Sequence, residues 1–214
     1  EHCPQTSGNV RTETVLEHCA ARPDFWIPFA SIHPDLDDDP AALLRRYIAA
    51  GARGLKLYPS YQFFYPDERR VYPLYEACLE GGIPVLLHVG SSVIPGTRLE
   101  YCHPAHLAPV ARDFPELPLV MAHGGRGHWY AECAGLVRAH ERVYIDVTGL
   151  VPARLPEHFP GMAERADRFI FGSDWPGMPK SVAHNAAVIR GLGLPPAALD
   201  AILHDNAARL LGLA

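Results

Sequence analysis

Two histidines and an aspartate are the residues best suited to chemistry in this chain. Each follows an apolar, β-favouring run: His88 in "VLLHVG" (85–90), His123 in "VMAHGG" (120–125) and Asp174 in "FIFGSDWP" (169–176). Imidazole nitrogens and carboxylate oxygens are the donors that zinc and related divalent ions prefer, and a catalytic centre keeps one coordination position for water. Water on such an ion loses its proton near neutral pH and becomes a nucleophile, and a carboxylate beside it can take that proton up. Each residue alone has a plainer explanation. A strand-end histidine is usually a hydrogen-bonded structural group, glycine after a strand is ordinary turn chemistry, and Asp174 could cap a helix. Three such endings on three strands favour one shared site.

Holding the three groups together requires strands that run the same way. Six apolar runs lie at 25–32, 52–59, 83–90, 117–125, 142–149 and 167–176, roughly one every 30–35 residues, with amphipathic stretches between them. Runs that are apolar on both faces imply strands covered on both sides, hence a parallel sheet of repeated βα units. After the first run, Asp39 is placed to cap a helix, Pro40 suits its first position, Leu43, Leu44, Tyr47 and Ile48 form one face, and Gly51 ends it. Further helices are predicted near 73–80, 104–113, 130–140, 181–190 and 196–212. A doubly wound sheet and a (β/α)8 barrel both fit this alternation. A doubly wound sheet would usually carry a glycine-rich phosphate loop, and neither GxGxxG nor GxxxxGK[ST] occurs. In a barrel, functional side chains sit at the C-terminal ends of several strands and meet at one mouth. The expected fold is therefore α/β, a (β/α)8 TIM barrel with about six of its eight strands in this chain, forming one domain over residues 1–214.

Composition narrows the functional classes. With 48% hydrophobic and 20% charged residues, a chain of 214 can bury one core of ordinary size. The net charge of -5 and the lack of a Lys/Arg run argue against nucleic acid or an anionic membrane surface as partner. No apolar stretch nears the roughly 20 residues of a membrane span. The chain opens on "EHCPQTSG", which is not a signal peptide. Its five cysteines are odd in number and form no CxxC pair, so they read as reduced thiols and a cytoplasmic location is expected.

Taken in order, "GLKLYP", "IPVLLHVG", "HPAHLAPVARDFPELPLVMAHGG", "VYIDVTG", "FIFGSDWP" and the closing "NAARLLGL" resemble the amidohydrolase-related family of metal-dependent hydrolases and decarboxylases. The resemblance runs from about residue 25 to the end and implies a (β/α)8 barrel holding a divalent ion, commonly zinc. It matches His88 to the metal-ligand histidine of the family's fifth strand. It matches His123 to the sixth-strand histidine, which orients or activates metal-bound water in some members and binds metal in others. Asp174 matches the eighth-strand aspartate, a ligand and proton shuttle. The implied activity is hydrolysis of a small carboxylated or cyclic ester substrate such as a lactone. Non-oxidative decarboxylation at the same metal, a lyase reaction, is the alternative.

One departure matters. The family's first strand ends in His-x-His, which supplies two ligands, and this chain contains no His-x-His. "EHCPQTSGNV" resembles the segment after the family's second strand, so the barrel is expected to be N-terminally incomplete here. Either the sequence is a piece of a longer chain, or it is a shortened homologue that has lost metal or completes its barrel with a partner. The second case would make it a non-catalytic subunit or binding module. His2 lacks both a preceding strand and a partner histidine and does not replace the pair. Open sheet edges invite association, and together with the resemblance they point to a homodimer.

Three residues are assigned to substrate. Lys56 in "GLKLYP" and Tyr58 lie at a strand end, and Arg126 follows "HGG" with a planar fork suited to a carboxylate. Lys56 also has a plain reading as an ion-paired residue near the mouth. Some superfamily members instead carboxylate the matching lysine to bridge two metals. Tyr61, Phe63, Phe64 and Tyr65 would wall a flat pocket or pack as a loop. His103 and His106 read as structural residues of a helix start and Trp175 as packing at the mouth; Asp146 could touch the site from its strand but reads more simply as an interior-layer residue.

Overall fold

The structure, a computed structural model, describes residues 10–92 and 94–213, so His2 and Cys3 lie outside the described residues. Among the described residues there are six strands: β1 (Ala30–Ser31), β2 (Leu55–Leu57), β3 (Val85–Gly90), β4 (Leu119–Arg126), β5 (Val143–Asp146) and β6 (Phe169–Ile170). They form one sheet in chain order, and every neighbouring pair is parallel. This is the α/β barrel order expected from the repeated βα units.

The helices are α1 (Thr12–Ala20), α2 (Pro40–Ala49), α3 (Pro59–Gln62), α4 (Tyr72–Gly81), α5 (Leu107–Asp113), α6 (Tyr130–Ala139), α7 (Leu155–His158), α8 (Val182–Arg190), α9 (Pro196–Asp200) and α10 (Asn206–Leu210). The Asp39 carboxylate accepts the Ala42 N–H at 2.9 Å and Pro40 opens α2. Gly51, at φ 107°, turns the chain out of it. Among the described residues no helix is long and apolar enough to cross a membrane.

Strand alternation divides the side chains into two sets. Leu55, Leu57, Val85, Leu87, Leu119, Met121, Val143, Ile145 and Phe169 join Leu44, Leu74, Cys78, Val110, Cys133 and Val137 of the helices in the core. Full burial of one such leucine or valine contributes about 1.5–3 kcal/mol. The intervening residues Lys56, Leu86, His88, Val120, Ala122, Tyr144 and Asp146 take the other face, the inside of the curved sheet. The described cysteines Cys19, Cys78, Cys102 and Cys133 are free and buried.

Two ends differ from the sequence expectation. The last strand stops at Ile170 and does not reach Asp174. The Phe171 N–H leaves the sheet to donate to the Ile202 carbonyl at 2.9 Å. The same bond takes that carbonyl, and the predicted 196–212 helix is interrupted there by a π-turn over Ala201–Asp205. The outer strand β1 is likewise two residues, not the whole of 25–32.

Candidate active site

The C-terminal ends of β3, β4 and β5 bring the candidate groups together, and the decisive local feature is a bulge in β4. His88 pairs with Ala122, but Gly90 pairs with Arg126, so His123, Gly124 and Gly125 stand opposite Val89 alone. All three are left-handed, at φ 67°, 50° and 80°. In a regular strand His123 would face away from Ala122 and His88. The left-handed backbone turns it back, and the His88 and His123 rings meet edge-to-face at 4.6 Å between centroids. Glycine is required at the next two positions. A Cβ on Gly124 would lie 2.8 Å from the Phe159 ring, and one on Gly125 would lie 2.5 Å from the Trp129 carbonyl oxygen.

The His123 ring is held by its Nδ1, 3.0 Å from the Thr148 carbonyl oxygen. A carbonyl only accepts, so Nδ1 carries the proton and Nε2 is the free lone pair. His88 is buried against Tyr61, with ring centroids 5.0 Å apart, and its Nε2 has no hydrogen-bond partner. Burial pushes both imidazoles toward the neutral form. His88 is held well below the usual histidine range by desolvation, then by His123, Lys56 and Arg126. His123 is pushed down to about 3 by desolvation, then by Lys56 and Arg126. Metal ligation requires neutral imidazole. An unpartnered buried nitrogen beside a second neutral ring fits two of the donors that a divalent ion needs.

Asp174 stands on the loop beyond β6, exposed and left-handed at φ 58°. Gly149 lies between it and His123: a Cβ there would be 3.0 Å from His123 Nδ1 and 3.2 Å from Asp174 Oδ2. The carboxylate therefore lies across Gly149 from the Nδ1 side of the His123 ring. Among the described residues no group of three His, Cys, Asp or Glu side chains is arranged to hold a metal ion.

The three substrate candidates also lie at this mouth. The Lys56 ammonium sits over the Tyr58 ring at 4.7 Å, and Tyr58 contacts Tyr61, whose hydroxyl bonds Ser92. The Arg126 guanidinium is less available than its sequence position implies. Its Nε and Nη2 both donate to the Ser91 carbonyl, at 3.1 and 2.7 Å, and Nη1 donates to the Gly149 carbonyl at 3.4 Å. It braces the ends of β3 and β4 and still contributes a positive charge to the site. His103 accepts the Ala105 N–H at a helix start, and His106 pairs with Asp67, both away from the metal candidates. Trp175 is largely exposed beside Asp174.

Asp146, which the sequence offers as a strand residue able to touch the site but more simply as an interior one, lies close to it. It ends β5, is buried, and accepts the Thr148 N–H at 2.9 Å. Burial pushes its carboxyl up to about 7, the Thr148 bond and Lys56 oppose this, and Asp174 adds to it. The available signal was a carboxylate two residues after Tyr144, on the inner face of a strand.

A family model described as amidohydrolase matches residues 2–213. No curated protein matches the chain. Among solved structures, an uncharacterized TIM-barrel protein from Bordetella bronchiseptica is 28% identical, over 100% of this chain and 75% of that chain, with a TM-score of 0.83. A 2,6-dihydroxybenzoate decarboxylase from Rhizobium is 17% identical over 94% of this chain and 76% of that chain, with a TM-score of 0.72. A protein described as a 2-pyrone-4,6-dicarboxylic acid hydrolase from Acinetobacter baumannii is 16% identical over 97% and 81%, with a TM-score of 0.71. The last two likenesses concern the fold.

Proposed function

The chain belongs to the amidohydrolase family, and from that premise we propose that it serves a metal-dependent hydrolase acting on a small carboxylated or cyclic ester substrate. The observation that carries this reading is the pair of neutral imidazoles, one with an unpartnered Nε2, set beside two cations. His88 and His123 would hold a divalent ion with Asp174 closing from the rim, and an imidazole and carboxylate set suits zinc. When bound, such an ion supplies a Lewis acid and an acidified water. The residues of this chain do the rest. Asp174 takes up and returns a proton at its carboxylate, and the Thr148 carbonyl keeps the proton on His123 Nδ1 so that the Nε2 lone pair is free for the ion. Lys56 and the Arg126 charge favour an anionic substrate, because two cations in a partly buried cleft raise its local concentration. Tyr58 and Tyr61 give that substrate an aromatic wall.

The solved decarboxylase that shares this fold favours a second reading, with the same cations holding a substrate carboxylate and Asp174 delivering the proton that replaces it. One experiment separates the readings. Zinc-loaded protein is offered small carboxylated lactones and hydroxybenzoates, with acid release followed by pH-stat and carbon dioxide release followed in parallel. Lactone-dependent acid release that Asp174→Asn abolishes supports the hydrolase, and carbon dioxide release supports the decarboxylase. Failure to retain any metal under replete conditions, with the fold intact, leaves the non-catalytic reading. We further propose a homodimer in the cytoplasm: among the described residues β1 and β6 are the end strands of the sheet, and the described cysteines are free and buried. Sedimentation of the purified protein at a monomer mass would reject the dimer.

A further inference from the structure

The residue that ends β5 is not needed to bind metal or substrate in the reading above, yet it is a carboxylate placed inside the curved sheet. Asp146 pairs in register with Ala122, the residue just before His123. Its Oδ1 accepts the Thr148 N–H at 2.9 Å, and the carbonyl of the same Thr148 receives His123 Nδ1 at 3.0 Å. Two hydrogen bonds thus run from the carboxylate through one residue to the imidazole. The surroundings are built around this link. A Cβ on Gly172 would lie 2.6 Å from Asp146 Oδ1 and 2.7 Å from Thr148 Oγ1, so only glycine leaves room there. Arg126 Nη1 holds the next carbonyl, that of Gly149, and the Val147 N–H is fixed on the Ile170 carbonyl at 2.9 Å.

We propose that Asp146 is a positioning residue for His123: by accepting the Thr148 N–H it aims the Thr148 carbonyl at His123 Nδ1, which fixes the ring tautomer and leaves Nε2 as the free lone pair. The physical need is specific. A neutral imidazole has two tautomers of similar energy, and the partner of one nitrogen selects what the other can do. The Thr148 peptides precede a left-handed glycine, a conformation with wide backbone freedom. Without the carboxylate anchor the carbonyl can rotate away, and Nδ1–H loses the acceptor that defines it. The consequence for catalysis rests on the active-site reading of His123. The test reads the ring itself and not turnover, so the two ideas fail separately.

The experiment is long-range proton–nitrogen correlation NMR on protein labelled with 15N in its histidine rings, with His123 assigned by the loss of its peaks in His123→Gln. At neutral pH the wild-type ring is expected in the Nδ1–H form. Asp146→Ala is expected to lose that signature and populate the Nε2–H form, and Asp146→Asn, whose amide oxygen can accept the same N–H, to restore it. A wild-type ring in the Nε2–H form would overturn the proposal. So would a folded Asp146→Ala that keeps the Nδ1–H pattern, or an Asp146→Asn that does not restore it. If the alanine variant does not fold, the wild-type and asparagine spectra decide by the same criteria.

Discussion

Replacing Gly149 with alanine tests whether the site groups are as tightly gathered as described. Gly149 and Gly82 have nearly the same left-handed backbone, at φ 67° and 63°. An alanine in that conformation costs about 1–2 kcal/mol at either position. At Gly82 nothing lies within 4 Å of the added Cβ, so the backbone cost is the whole effect. At Gly149 the Cβ would come within 2.6 Å of Arg126 Nη1, 3.0 Å of His123 Nδ1 and 3.2 Å of Asp174 Oδ2. Arg126 can swing aside, but His123 can move only by giving up its bond to Thr148, worth about 0.5–1.5 kcal/mol. Gly149→Ala should therefore lose about 1 kcal/mol more than Gly82→Ala. For a domain of this size that is roughly 2–4 °C in Tm. The assay is paired thermal and urea unfolding of the two variants in metal-free buffer, with zinc retention measured alongside. Gly82→Ala should keep wild-type zinc retention and Gly149→Ala should not. Equal destabilisation of the two, with equal zinc retention, would refute the crowding of His123, Arg126 and Asp174 around this position.

His88→Phe removes a buried nitrogen that has no partner. Leaving such a group unsatisfied costs about 1–3 kcal/mol, so the metal-free variant should unfold at or above the wild-type urea midpoint while losing metal retention. A large drop in midpoint would mean that the His88 ring contributes more to the fold than its unpartnered Nε2 costs. Asp39→Ala removes the cap of α2 and should cost about 1 kcal/mol by the same unfolding assay, with zinc retention unchanged. The pH profile divides between opposing groups. Asp146, raised from 3.8 to about 7, keeps a proton in the folded state that the unfolded chain has released, so its contribution is lost as pH rises through that window. His88 and His123 are lowered from 6.5, so the unfolded chain binds protons that they refuse, and their contribution is lost as pH falls below that value. Asp146→Asn removes only the first effect. Its stability relative to wild type should rise between about pH 4 and about pH 7, by up to roughly 1.4 kcal/mol per pH unit. Urea midpoints at several pH values check this, and a flat or falling difference would refute the sign.

The parallel sheet, the strand order and the cap of α2 were legible because each rests on neighbours in sequence: two-sided apolar runs, Asp39 before Pro40, and glycine after a helix. Convergence of His88 and His123 was legible as strand-end chemistry, but the manner was not. A strand that alternates regularly would have turned His123 outward, and only the register of β4 against β3 exposes the left-handed detour. Asp174 was read as a strand ending because "FIFGSDWP" is continuously apolar up to its serine. The sheet ends four residues earlier because of a hydrogen bond to Ile202, which no local pattern contains. The role of Asp146 is not legible for the complementary reason: the meaning of a single buried carboxylate depends on Thr148 and Gly172, and the latter comes from the next strand-to-loop junction. Arg126 had the right charge and address, yet backbone carbonyls from two other segments take its fork.

The detour at His123-Gly124-Gly125 also sets how this stretch would behave under random variation. A library diversified across residues 120–126 and screened only for intact fold should return Gly124 and Gly125 almost without exception, because a phenyl ring and a main-chain oxygen occupy the space any larger residue would claim. Position 123 itself should accept asparagine, which tolerates its backbone. Survivors would thus spell the scaffold of the site while leaving its chemistry blank, and a second screen for metal would be needed to bring the imidazole back.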